Sequence, residues 1–123
     1  NYNYFVVNVG LPYTQIIKTL VQEEGSQRGT AQAKIQKISE VAFKVNRSFT
    51  GFLTGGATDK LDKVVTREAS TVLGTQQPLF TGVVPNISFN DDYKYGSQVL
   101  IHNTAPLPIE LLNIITTIDT NEK

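Results

Sequence analysis

Short apolar segments alternate with turn residues along most of this chain. In one of them, Val99 and Ile101 fall on one face of an extended backbone and the residues between them fall on the other. A period of two, bounded by Gly or Pro, is typical of β-strands. The pattern predicts strands in four such segments: residues 2–9, 13–21, 79–84 and 97–103.

The most apolar segment is residues 107–118, and it does not alternate. Leu111-Leu112 and Ile114-Ile115 place apolar side chains on both sides of an extended chain. Continuous apolar runs of this kind are typical of strands that have both faces covered. We therefore expect this segment to be a strand buried on both faces.

Residues 31–50 fit two templates. The first half has apolar residues three and four positions apart, as on one face of a helix: Ala31, Ile35, Ile38 and Ala42. The second half alternates as a strand does: Val41, Phe43 and Val45. The pattern favours a strand for the second half. It leaves residues 31–40 as either a helical turn or the start of one long, bent strand.

Polar or glycine-rich stretches predict loops at residues 22–30 and 51–60. The second stretch contains the sequence Gly51-Phe52-Leu53-Thr54-Gly55-Gly56. It lacks the Lys-Ser/Thr pair that a phosphate-binding loop carries after its second glycine, so we interpret it as a flexible loop tip. Residues 61–71 fit either a helix or an edge strand that is blunted by charged side chains.

Composition strengthens the β assignment. The chain contains 12 Val, 10 Ile and 14 Thr, and β-branched residues favour strands. Its 123 residues are enough for one domain with a sizeable core. Together these observations predict a mainly β protein: an antiparallel, sandwich-like single domain over residues 1–123, with at most one or two short helices.

Charge and residue usage exclude several classes of protein. Eleven basic residues balance eleven acidic ones, whereas a dedicated nucleic-acid binder usually carries a basic excess. No apolar run approaches the ~18 residues of a membrane span. Without Cys there is neither a disulfide framework nor a cysteine-ligated zinc site. The chain also lacks Met and begins at Asn1, from which we expect it to be a fragment of a larger chain.

Candidate chemistry is sparse. His102 is the only histidine, and no Ser or carboxylate stands beside it in the sequence to complete a nucleophile and base, so we interpret it as a partly exposed strand histidine. Asp91-Asp92 lacks the ligand spacing of a calcium loop and is interpreted as a polar turn. Three basic residues are interpreted as a solvated face: Arg28, Lys34 and Lys37. The sequence therefore predicts neither an enzyme nor a cofactor.

Five motifs follow one another along the chain. Near the start stand Val9-Gly10-Leu11-Pro12-Tyr13-Thr14 and Arg28-Gly29-Thr30-Ala31-Gln32-Ala33-Lys34-Ile35. Near the end stand Pro78-Leu79-Phe80-Thr81-Gly82-Val83, Tyr95-Gly96-Ser97-Gln98-Val99-Leu100-Ile101 and Ala105-Pro106-Leu107-Pro108-Ile109-Glu110-Leu111-Leu112. This ordered set resembles the C-terminal portion of the tail nozzle proteins of short-tailed bacteriophages, also described as tail tubular or packaged-DNA stabilization proteins.

The resemblance implies a structural protein of the virion tail that assembles as a homo-oligomeric ring. Its partners would be copies of itself, other phage tail proteins and the portal-adaptor side, with DNA only passing through the lumen and no membrane. A neutral domain suits such a wall, because each phosphate that Lys or Arg neutralises adds affinity and would retard the DNA. The candidate interface residues are apolar side chains of short segments: Phe52, Leu53, Leu79 and Phe80.

Two other functions stand beside this one. A β-sandwich binding module for carbohydrate or peptide would use an aromatic platform drawn from the tyrosines: Tyr2, Tyr4, Tyr13, Tyr93 and Tyr95. Tyrosines that are half-buried at strand ends, with wet hydroxyls, are the commoner arrangement and are favoured here. A hydrolase would depend on His102, and nothing else in the sequence supports it.

Overall fold

The computed structural model describes residues 7, 9–11, 13–23, 25–26, 29–30, 33–65 and 78–121. Over these residues the chain is all-β, without a helix. The strands, in chain order, are β1 (Gln15–Lys18), β2 (Gly25–Ser26), β3 (Gly29–Thr30), β4 (Ile35–Ser48), β5 (Leu53–Gly55), β6 (Asp62–Lys63), β7 (Phe80–Ser88), β8 (Lys94–Tyr95), β9 (Leu100–Asn103) and β10 (Leu111–Asn121). The described residues contain no helix that is long and apolar enough to cross a membrane.

Two antiparallel sheets make up the fold. The first sheet has the strand order β1-β9-β5-β6, and the second has the order β10-β4-β7, with β8 pairing to the start of β4. Strands β2 and β3 form a separate two-stranded hairpin within the segment that was predicted as a polar loop. The predicted class, mainly β with antiparallel sandwich-like sheets, is confirmed.

The core lies between the two sheets and is built around β4. Ile38, Val41, Phe43 and Val45 of this strand are fully buried, and Phe52, Val99 and Ile101 of the first sheet and its flanks pack in the same cluster. The rings of Phe43 and Phe52 meet edge to face, with centroids 5.3 Å apart and planes at 85°. Such aromatic pairs add to the stabilisation that burial already provides.

The ambiguous segment before residue 50 is one long strand, so the strand alternative is correct for residues 35–48 and the helical turn is wrong there. A β-bulge explains the misleading spacing. Ile38 pairs with Ile118 and Glu40 with Thr117, which leaves Ser39 as an extra residue in β4. Ile38 and Val41 therefore both face the core although they are three positions apart. Residues 31 and 32 lie outside the described residues.

The loop predicted at residues 51–60 is wrong in its first half. Residues 53–55 form β5, an interior strand between β9 and β6, and the buried Thr54 hydroxyl donates to the carbonyl of Leu100 at 3.1 Å. A Cβ added to Gly55 would lie 1.9 Å from the carbonyl oxygen of Lys60. This glycine therefore permits a close backbone approach and does not mark a flexible tip.

Several strands have boundaries in the structure that differ from the predicted ones. Residues 62–63 form a short edge strand, so the charged edge-strand alternative is correct there; residues 66–71 lie outside the described residues. Strand β7 continues through Pro85 to Ser88, because Pro85 lies in an edge strand at a register irregularity, where its missing N–H costs no ladder hydrogen bond. Of the first predicted strand, residues 2–9, only Val7 and Val9 are described, and neither lies in a strand.

The prediction of a strand buried on both faces is wrong for residues 107–118. The strand begins at Leu111 and is an edge strand of the second sheet, with half-buried and exposed side chains in alternation. Leu112 is an extra residue between the pairs made by Leu111 and Asn113, and it points outward. An apolar run records hydrophobicity but not the number of neighbours, which the sheet order decides.

Replacement of Phe52 tests the core. Phe52→Ala removes a side chain that is 1% exposed and packs on Phe43, so the free energy of unfolding should fall by about 3–5 kcal/mol. Leu79→Ala is the control, because Leu79 is 45% exposed and should cost less than about 1 kcal/mol. Urea titration followed by circular dichroism measures both. Equal effects of the two substitutions would contradict this core.

Candidate interaction surface

His102 lies on the outward face of the first sheet, opposite Ile16 on β1 and Leu53 on β5. The ring is half-buried, as predicted, and its Nδ1 is buried without a hydrogen-bond partner. Its cross-strand neighbours are aliphatic, so neither supplies the nucleophile or orienting carboxylate that a general base requires. Among the described residues, no group of three or more acidic, His or Cys residues is placed to hold a metal ion.

Asp91 is buried, which corrects its interpretation as part of a polar turn. Its carboxylate accepts a hydrogen bond from the N–H of Ile38 at 3.3 Å and one from the ammonium of Lys94 at 2.7 Å. Lys94 also donates to the carbonyl of Gly56 at 3.0 Å. Because Ile38 belongs to the second sheet and Gly56 follows β5 of the first, this charge pair links the two sheets.

Asp92, the next residue, is exposed and behaves as the prediction expects. Its carboxylate forms an ion pair with the ammonium of Lys60. The hydrogen bond from Lys60 holds the pKa of Asp92 below its ordinary value, and the same contact raises the pKa of Lys60. Neighbouring carboxylates therefore have different roles: Asp91 joins the sheets, whereas Asp92 carries a surface charge.

The four predicted interface residues do not form one patch. Phe52 is buried in the core of its own chain, so it is not available to a neighbouring subunit, and Phe80 packs against the same core. Leu53 is half-buried on the outward face of the first sheet, whereas Leu79 is exposed just before β7 of the second sheet. Leu53, Leu79 and Phe80 keep part of their surface exposed, but Leu53 belongs to the first sheet, whereas Leu79 and Phe80 lie at the start of β7 in the second.

The tyrosines are more exposed than the favoured interpretation expects. Tyr13, Tyr93 and Tyr95 each expose half or more of their surface, and the ammonium of Lys37 lies 5.9 Å from the centroid of the Tyr93 ring. Tyr2 and Tyr4, and the basic residue Arg28, lie outside the described residues. Tyr93 and Tyr95 are therefore two exposed tyrosines separated only by Lys94. They lie at β8, which pairs with the start of β4.

Exposed apolar side chains are concentrated between residues 7 and 21. Leu11 is 86% exposed and Val9 is 92% exposed, and isolated apolar residues on a surface are common enough to need no explanation. Here eight such side chains fall on β1, an edge strand of the first sheet, or in the residues before and after it. The group comprises Val7, Val9, Leu11, Tyr13, Ile16, Ile17, Leu20 and Val21.

An apolar cleft of about 300 Å³ opens beside this group. Its walls come from both sheets: Gln15, Ile17, Ile101, Asn103, Ile109 and Leu111. The residues of β1 and the start of β10 therefore border one opening between the sheets, and the hydroxyl of Thr116 on β10 reaches Gln22, after β1, at 3.4 Å. We call this side of the molecule, bordered by β1 and β10, the open side.

The opposite edges of the two sheets are protected against further pairing. The first sheet ends at β6, which consists of Asp62 and Lys63. The second ends at β7, which contains Gly82 at a positive φ of 141°, Pro85 and two register irregularities shared with β4. Charges, prolines and bulges are the features by which proteins prevent edge strands from pairing with other chains. We call this side the blunted side.

Sequence reasoning missed the open side. One signal was present: Val7, Val9 and Leu11 alternate as a strand does and lack any charge between them. A second signal is the composition of β10, which has no Pro, Gly, Lys or Arg and one acidic residue, Asp119. Neither signal could show that both segments border the same opening, because that depends on the strand order of both sheets.

A comparison with protein-family models finds no match to the chain, and a comparison with curated proteins likewise finds none. The resemblance to phage tail nozzle proteins therefore stays a prediction, and no family is assigned.

Removal of the Asp91 carboxylate tests the link between the sheets. Asp91→Ala leaves the N–H of Ile38 without this acceptor, and the ammonium of Lys94 keeps only the carbonyl of Gly56. Because the Asp91 carboxylate is buried while the Lys94 side chain is 35% exposed, the free energy of unfolding should fall by about 1–3 kcal/mol. Asp92→Ala is the matched control, because that carboxylate is 74% exposed. Chemical denaturation measures both, and an unchanged midpoint for Asp91→Ala would refute the proposed role.

Proposed function

We propose that this chain is a β-rich structural domain of a tail nozzle from a short-tailed bacteriophage, and that it assembles with copies of itself into a ring around the DNA exit channel. The observation that carries the proposal is the ordered set of sequence motifs. Three of these motifs coincide with entries to strands: Leu79-Phe80 begins β7, Gln98-Val99 precedes β9, and Pro106-Leu107-Pro108 precedes β10. Motifs at the starts of strands help to specify a β framework. In this proposal, the chain shares that framework with the tail nozzle proteins that it resembles.

The distribution of charge supports a wall that does not hold DNA. The chain has equal numbers of basic and acidic residues, and two of its lysines are engaged with carboxylates, Lys60 with Asp92 and Lys94 with Asp91. Lysines that are paired in this way release fewer counterions from a passing duplex, so they contribute little affinity. A conduit needs this property, whereas a DNA-binding domain needs its opposite.

The asymmetry between the two sides of the sandwich supports assembly. The open side offers apolar surface, a cleft and two edge strands, and the blunted side carries the charged and irregular edges. In this proposal the neighbours are further copies of the chain, other tail proteins and the portal-adaptor side, and the location is the virion tail. No catalysis and no cofactor form part of the role.

Electron microscopy tests the ring. The protein, purified at the full length at which it is made, should form closed rings in negative stain and sediment as an oligomer. In a filter-binding assay at physiological salt, its affinity for duplex DNA should be no tighter than non-specific binding, with a Kd of about 10 µM or weaker. A full-length protein that is strictly monomeric, or that binds duplex DNA tightly, would contradict the proposal.

A second function, a binding module for carbohydrate or peptide, is favoured by the exposure of Tyr93 and Tyr95. Exposed aromatic rings stack on sugars and peptides through their apolar faces. Against this, Lys37 lies near the Tyr93 ring, at 5.9 Å from its centroid, and occupies one stacking position. Of the two rings, that of Tyr95 is therefore the better stacking surface for a sugar or peptide.

Glycan and peptide arrays test the second function. If it is correct, the chain binds a ligand saturably, and Tyr95→Ala weakens binding at least about tenfold, since a lost aromatic stack costs about 1–3 kcal/mol where it has been measured on bases. Tyr13→Ala is the control, since Tyr13 is also exposed, at 50% against 70% for Tyr95, but lies before β1 and away from β8 in the chain. Binding that is absent from the arrays, or equally affected by both substitutions, would exclude this module.

A further inference from the structure

The first described residues form an apolar segment whose side chains are exposed in the part of the chain that the structure describes. Val7, Val9 and Leu11 occupy alternate positions, and each exposes at least two-thirds of its surface. None of the described residues between 7 and 14 belongs to a strand. We call Val7 and residues 9–11 the arm. Alternation of this kind is typical of a strand with one buried face, yet among the described residues these side chains are largely exposed.

The arm starts beside the open side. Gly10 lies against Pro106, so closely that an added Cβ would be 2.5 Å from the Pro106 Cβ. Pro106 precedes β10 by only a few residues, and the cleft between β1 and β10 is lined by Ile109 and Leu111 of the same stretch. The arm therefore lies next to the apolar cleft of the open side.

The outer edge of β10 is suited to receive a further strand. The strand is eleven residues long, and among the described residues it pairs with β4 alone. Both edge strands share two register irregularities with β4. Strand β10 differs from β7 in having no Pro, Gly or Lys, whereas β7 carries Gly82 and Pro85. Its inward-facing residues Ile114 and Ile118 pack on the core but remain only half-buried, as expected beside a missing neighbour.

A strand added beside β10 would also cover the cleft. Every second side chain of such a strand points into the space between the sheets, where Leu111 and Ile114 are incompletely buried. The arm presents Val7, Val9 and Leu11 with this spacing. Neither the arm nor the stretch from Leu111 to Ile118 carries a charge, so their contact would not bury an unpaired ion.

We propose that the arm of one copy adds as an extra strand to the β10 edge of a second copy, with Val7, Val9 and Leu11 covering its cleft. The contact joins two different surfaces, and heterologous contacts of this type close into a ring when they are repeated around an axis. The inference rests on the proposed function only for that closure. Two copies that exchange their arms would make the same contact without forming a ring.

Two substitutions separate the surfaces that make the contact. Val9→Asp places a charge on the arm, and Ile114→Lys places one on the inward face of β10, where an added strand would bury it. Each should weaken self-association about 100-fold or more in sedimentation equilibrium of the full chain, because an unpaired charge would lose its hydration. If Ile114→Lys unfolds the chain, as judged by circular dichroism, Thr116→Lys replaces it.

Each variant has a matched control of the same chemistry. Val65→Asp alters a valine that is 66% exposed, beyond β6 on the blunted side. Ile115→Lys alters the neighbour of Ile114 whose side chain points to the outer face and is half exposed. Both controls should leave the dissociation constant within about threefold of the unaltered chain, because Val65 lies on the blunted side and Ile115 points away from the cleft that the added strand would cover.

Mixing the two defective variants gives the decisive result. The Val9→Asp chain keeps an intact β10 edge, and the Ile114→Lys chain keeps an intact arm, so an equimolar mixture should form a heterodimer that neither forms alone. A chain that is monomeric at about 1 mM, where contacts worth 4 kcal/mol are half occupied, would overturn the proposal. So would association that Val9→Asp leaves unchanged, or a mixture that stays monomeric.

The outcomes distinguish this inference from the ring itself. Association through the arm that stops at two copies supports the arm contact and contradicts the nozzle. Closed rings that survive both Val9→Asp and Ile114→Lys support the nozzle and contradict the arm contact.

Discussion

The long central strand β4 is the constraint on which the other elements depend. It pairs with β10 along one edge and with β7 and β8 along the other, so its path sets the register of the whole second sheet. Its inward side chains also provide much of the core, and Phe43 carries the edge-to-face contact with Phe52 of the first sheet. The bulge at Ser39 bends the strand and frees the Ser39 carbonyl to accept from Phe89 at 2.9 Å.

A second consequence of this arrangement is the contrast between the two sides of the molecule. Because β4 is central, the second sheet has two outer edges. Both edge strands share register irregularities with β4, but only β7 also carries Gly82 and Pro85. The β10 edge faces the same opening as β1, where Ile17 is exposed. The proposed nozzle requires directional assembly, and this difference between the two sides is the feature that supports it.

Some features of the fold follow from local pattern, and others mislead it. The alternation through Val41, Phe43 and Val45 predicts the strand correctly, since each of these residues faces the core. The spacing of Ile38 and Val41 imitates a helix because a bulge, invisible in one strand alone, inserts a residue between them. Gly55 was interpreted as part of a flexible tip, although it permits contact with the backbone of Lys60. The role of a glycine depends on which atoms pack against it. The local sequence does not show that contact, even when the neighbour is only five residues away, as Lys60 is from Gly55.

The sequence by itself determined the class of the protein: β-branched composition and short alternating segments are local properties, and they are enough to specify antiparallel β structure. It also determined that His102 has no catalytic partner beside it. Only the tertiary structure decided that Asp91 is a buried link, that Phe52 belongs to the core, and that β1 and β10 border one opening. These outcomes depend on which strands are neighbours across the two sheets, and pairing between residues far apart in the chain leaves no trace in the local spacing of apolar positions.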